Sequence, residues 1–150
     1  MIEVAIVLKE EDYQYTGSVA GNTKEEYNSI VWLDARVKPT FAELKTKWDL
    51  ISVKIKKKQL KEIRDEILID NLWIMNRIVK DQIKIRMGII TEAQKKWSDA
   101  EQLTYVNWYE AMIELPKTVN YDLYDLKDIK KNNTAIFPDC PIDKSDSNDK

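Results

Sequence analysis

From Pro39 to Gly88 the chain carries neither proline nor glycine, and its apolar residues recur three and four positions apart, a pattern that predicts helix. Thr40 with Glu43 three places on has the spacing of a capping box at its start, and Gly88 suits a C-terminal cap at its end. The first apolar set, Phe41, Leu44, Trp48, Ile51 and Ile55, lies on one narrow seam with the spacing of a coiled coil. A second set, Leu60, Ile63, Ile67, Ile74, Ile78 and Ile85, falls roughly a third of a turn away at about 100° per residue. The two halves therefore face different neighbours. A straight helix of this length would measure roughly 70 Å, more than a compact domain covers. Either it breaks near Lys56 to Gln59, where the seam shifts, or other chains cover it.

Before this segment, the β-branched and aliphatic run Ile2 to Leu8 reads as a strand, and Tyr27 to Leu33 reads as a second. Two such strands make a small hairpin or sheet that survives only by packing on helix. After Gly88, Thr91 with Gln94 and Ser98 with Glu101 both have capping-box spacing, so one of them opens a further helix, which ends at Pro116. On that helix Tyr105, Val106, Trp108, Tyr109, Met112 and Ile113 cover an arc of roughly 160°, wider than one core face needs, so it touches two neighbours. The expected fold is mainly α: a small N-terminal β module over residues 1–38, then a helical body over 39–116 built as a long helix and a second helix in a hairpin. An irregular tail over 117–150 follows, disordered after about residue 143.

Composition narrows the chemistry. The 150 residues include no histidine, which removes imidazole bases, Ser-His-Asp triads and histidine metal sites. One cysteine, Cys140, excludes an internal disulfide and a cysteine-built metal site. The three glycines are isolated, so no phosphate-cradling loop precedes a helix. Carboxylate pairs such as Glu62 with Glu66 and Asp65 with Asp70 alternate with lysines and read as solvated helix faces. No catalytic, cofactor or metal residues are expected, and the chain reads as an interaction protein. The lysines Lys54, Lys56, Lys57, Lys58 and Lys61 form a local basic cluster, yet the net charge is −2 and no aromatics interleave them, so nucleic acid is not the expected partner. The apolar start is too short for a membrane span and lacks a basic leader, so a protein that is soluble and intracellular, or delivered by other means, is expected. Of the tryptophans, Trp48 belongs on the seam and in a core. Trp73 lies about 100° off its local stripe, which leaves core and interface both open.

Several short motifs occur in an order that resembles a known family. Ile30-Val31-Trp32-Leu33-Asp34, then Lys38-Pro39-Thr40 with Glu43-Leu44 and Trp48, resembles the opening of small tail and tail-fibre assembly chaperones of tailed bacteriophages. Arg64-Asp65-Glu66-Ile67-Leu68 with Trp73, Trp97 with Trp108-Tyr109-Glu110-Ala111-Met112 and Leu115-Pro116, and Ile136-Phe137-Pro138 with Pro141 are similar to later motifs of that family. Glu110 stands where the family usually has arginine, and Phe137 where it has tryptophan. The resemblance implies a non-enzymatic helper that binds a fibre or tail polypeptide in the host cytoplasm and assists its folding, trimerisation or attachment. The alternative it leaves open is a permanent tail or baseplate component. Trp73, Trp97, Trp108, Tyr109 and Phe137 are the expected partner-binding residues, with self-association or partner contact along the seam Phe41 to Ile55.

Overall fold

The computed structural model describes residues 2–142, so the disorder expected from about residue 143 lies outside the described residues. The chain is mainly helical, with one small antiparallel sheet near its N-terminus. Its contacts divide it into two compact units, Met1–Lys56 and Lys57–Lys150. The division falls inside the long helix at the point where the apolar seam shifts, rather than at residues 38 or 116.

In the first unit, helix α1 (Val4–Glu10) stands where a strand was expected. Val4, Val7 and Leu8 are buried at helical spacing, whereas a strand would have buried alternate residues. Among the described residues the run has no partner strand, so a helix is what satisfies its own backbone groups. Asn22, at positive φ, fixes the entry: its Oδ1 accepts from the Val4 amide at 2.7 Å and its Nδ2 donates to Glu3 at 2.8 Å.

Strand β1 (Tyr15–Thr16) pairs with β2 (Val31–Trp32), Tyr15 opposite Trp32 and Thr16 opposite Val31. Between them Gly17 has φ +121°, and a Cβ there would come within 3.2 Å of the Ile30 side chain. The second expected strand is thus shortened. Residues 24–29 form helix α2 (Lys24–Ser29), started by Thr23, whose hydroxyl accepts from the Glu26 amide at 3.1 Å, with Glu25 and Glu26 favourably placed in the first turn. Arg36 ties the following loop down. Its guanidinium donates to Asp34 at 2.6 Å and to the carbonyls of Glu11 and Asp12, and it stacks over Tyr13. That hydrogen bonding holds the Asp34 carboxyl below the usual carboxylate range.

Helix α3 (Phe41–Asp70) opens with the expected capping box, the Glu43 carboxylate accepting from the Thr40 amide and the Thr40 hydroxyl from the Glu43 amide. It runs unbroken through Lys56 to Gln59, and the break comes instead at Asn71. There the side-chain Nδ2 donates to the Ile67 carbonyl at 2.7 Å, taking the acceptor that the Asn71 amide would use in a continuing helix. The amide turns to Leu68, and helix α4 (Leu72–Arg86) begins. Gly88, at φ +71°, closes α4: its amide donates to Ile85 and that of Ile89 to Lys84, the paired bonds of a Schellman cap.

Both later capping boxes form. Thr91 caps a single 3-10 turn (Glu92–Gln94), and Ser98 opens helix α5 (Asp99–Thr118). This helix passes its expected stop, since Pro116 sits inside the last turn, where its fixed φ fits and only one intrahelical donor is lost.

In the second unit α5 runs antiparallel to the end of α3 and to α4. Arg64 donates to the Ile113 carbonyl, the Tyr105 hydroxyl to the Asn71 carbonyl, and the Lys96 amide to Asp81, so rising numbers on one side meet falling numbers on the other. The segment after α5 crosses this hairpin through two short 3-10 turns. Gln59 donates to the carbonyls of Leu126 and Ile129 at 3.0 and 2.9 Å, and Lys131 pairs with Asp70. Ile129, Ile136, Phe137 and Ile142 complete the core formed by Leu60, Ile67, Ile74 and the aromatics of α5.

Candidate partner-binding surface

Most residues expected to bind a partner build the core instead. Trp97, Trp108 and Phe137 are buried, and Trp73 and Tyr109 are half-buried against the same cluster. Trp73 and Trp97 meet with ring centroids 5.7 Å apart, and Tyr105 lies 5.5 Å from Trp108 and 6.4 Å from Tyr109. The Trp108 indole N–H donates to the Pro138 carbonyl at 2.9 Å, which fastens the C-terminal segment beside Phe137. Of the adjacent pair on α5, Trp108 is the inward residue. Along the seam, Leu44 and Trp48 are buried by the chain itself, with Phe41, Ile51 and Ile55 half-buried beside them.

Exposed apolar residues are spread along the chain, Val37, Leu50 and Ile69 among them, and on α4 and α5 they align in strips. On α4 the inward face carries Ile74 and Asp81, and the opposite face shows Leu72, Val79 and Ile83, which are 44%, 50% and 51% exposed. At about 100° per residue these three, with Asn76, fall within an arc of roughly 60°. Met87 extends the strip past the helix end and is also exposed. On α5, Leu103 is exposed opposite Tyr105, Trp108 and Met112, and an outer strip runs from it onto the flank through Val106, half-buried, and Ile113, exposed. Val106 and Ile113 belong to the broad apolar arc expected of this helix, within which spacing alone does not separate this outer strip. On α4 the periodic isoleucines at 74, 78 and 85 mark one stripe, and the second set on the far side has no periodic signal of its own.

The two strips carry opposite charge. Helix α4 has four basic residues and one acid, and that acid, Asp81, is buried and taken up by Arg77 at 3.0 Å and by the Lys96 amide. Lys80, Lys84 and Arg86 remain. Helix α5 has four acids and one base; Asp99 is held by Lys95, Glu101 by its capping box, and Glu114 by Lys117 across an exposed pair. Glu110 lies between Val106 and Ile113 on the outer strip with no ion pair among the described residues.

Other features give little chemistry. A cleft of about 610 Å³ in the first unit is lined by Tyr27, Pro39 and Phe41 with Lys24, Lys38 and Lys45. The Lys38 ammonium is already held by the carbonyls of Tyr27 and Ile30 at 3.0 and 3.3 Å. Burial pushes the hydroxyls of Tyr27 and Tyr105 up to about 12, and both donate to backbone carbonyls, that of Tyr27 to Pro39 at 2.6 Å. Among the described residues no group of three or more carboxylates and thiols is placed to hold a metal ion, and no helix is long and apolar enough to cross a membrane. Comparison of the chain with protein-family models, with curated proteins and with solved structures finds no match in any of the three.

Proposed function

We propose that the protein is a non-enzymatic binding protein that docks a client polypeptide on the outer face of α4, in the manner of a phage tail or tail-fibre assembly chaperone. The observation that carries the binding role is the strip Leu72, Val79 and Ile83, kept in water on the face opposite the core. A narrow apolar strip on an amphipathic helix is the form in which one helix receives another segment of chain. The client class rests on the ordered motifs from Ile30 to Pro141. Fibre polypeptides are β-rich trimers whose strand edges and apolar surfaces are exposed before assembly, so a helper that covers them limits aggregation. The buried positions of Trp108 and Phe137 move the expected grip from the core side of α5 to the exposed strip of α4.

Co-expression with a candidate fibre polypeptide tests the reading by the yield of soluble trimer. An increase over the fibre alone supports it, and an unchanged yield with no co-purification across candidate tail polypeptides counts against it. Mass spectrometry of purified particles separates the two modes of action. A stoichiometric amount in the particle favours a permanent tail component, and presence in infected cells with absence from particles favours a departing chaperone.

A further inference from the structure

We infer that the exposed strip of α4 is covered, in the absence of a client, by the outer strip of α5 from a second copy of the chain. The inference rests on the reading of the α4 strip as a protein-docking face. Leu72 to Ile83 on α4 and Leu103 to Ile113 on α5 each span roughly 15 Å at the helical rise, so the apolar parts match in length. Their charge is complementary. Lys80 and Arg86 fall on opposite sides of the α4 strip, and Glu110 falls within the α5 strip with Glu114, itself paired with Lys117, beside it.

An α4 strip facing its own copy would bring Lys80 and Arg86 against like charges, whereas α4 against a partner's α5 brings base to acid and apolar to apolar. Asn76 adds a polar group inside the α4 strip, which a partner strip containing Glu110 can satisfy and a wholly apolar one cannot. A segment of a client polypeptide that competes for this face would then be an amphipathic stretch carrying carboxylates beside its apolar residues. Client binding and self-association are mutually exclusive on α4.

Sedimentation velocity across a concentration series tests the contact on the whole chain, with circular dichroism confirming that each variant keeps its helix content. The wild type is expected to associate as concentration rises, and to do so less at high salt because the flanking charges are exposed. Lys80→Glu with Arg86→Glu makes both strips acidic, and Glu110→Lys with Glu114→Lys makes both basic. Each variant alone is expected to associate at least tenfold more weakly than the wild type. An equimolar mixture of the two restores base against acid at every α4–α5 contact, and complexes containing one of each are expected to return. A wild type that stays monomeric throughout, variants that associate as the wild type does, or a mixture that stays monomeric would each overturn the inference. Should the same preparations still raise the yield of soluble fibre, the self-contact alone fails and the docking role of α4 stands.

Discussion

The hydroxyl of Tyr105 donates to the main-chain carbonyl of Asn71 over 2.9 Å, joining the middle of α5 to the point where α3 gives way to α4. Both residues are buried, and the same carbonyl also accepts from the Ile74 amide at 3.1 Å. Tyr105→Phe keeps the ring and removes only the donor. The carbonyl keeps its helical partner, so the expected cost is about 1 kcal/mol, the usual net value of one such bond. Urea unfolding of the pair checks it, and a loss above about 3 kcal/mol would mean that the hydroxyl holds the break itself in place.

The same burial makes stability sensitive to alkali. In the unfolded chain Tyr105 titrates near 10, and in the fold burial raises it to about 12. The unfolded state therefore releases its proton first as pH rises. The contribution is whole below about pH 10 and is lost as pH climbs towards 12. Tyr27 is raised to a similar value and acts in the same direction. Urea midpoints measured from pH 9 to 11.5 should fall, and Tyr105→Phe should fall less steeply than the wild type.

Truncation after Val119 removes Ile129, Ile136, Phe137 and Ile142 from the core of the second unit, together with the acceptors for Gln59 and Trp108. Losing several buried apolar side chains at about 2–5 kcal/mol each exceeds the stability of an ordinary domain. The truncated chain is expected to lose cooperative unfolding and to aggregate. A soluble, cooperatively melting product would show that the segment is dispensable.

Trp48 is 5% exposed in α3, and Trp48→Ala is expected to cost about 3–5 kcal/mol. A change below about 1 kcal/mol in chemical denaturation would contradict its burial in the first unit.

Much of the helical framework was legible because its signals are local. Thr40, Thr91 and Ser98 each form the box their spacing announced, and Gly88 adopts the positive φ that a cap requires. The shift of seam between Ile55 and Leu60 coincides with the division of contacts at Lys56. Errors arose where a local preference met a tertiary demand. Val4, Val7 and Leu8 favour strand by residue type, but without a partner strand they pack as a helix. The break at Asn71 has no local signal in the periodic run, and only the fold shows its side-chain Nδ2 taking the Ile67 carbonyl. Size and aromaticity, which the expected partner-binding residues share, mark cores as readily as interfaces. Leu72, Val79 and Ile83, smaller and spaced among charges, are among the apolar residues left in water.

The most direct test of the account is fibre solubilisation by a variant whose core is untouched. Val79→Asp with Ile83→Asp places two charges on the outer strip of α4, at positions already half-exposed, and should leave helix content and unfolding midpoint close to those of the wild type. Co-expressed with the fibre polypeptide that the wild type solubilises, this variant is expected to lower the yield of soluble trimer at least tenfold. A folded variant that sustains the full yield would contradict the claim that α4 is the docking face.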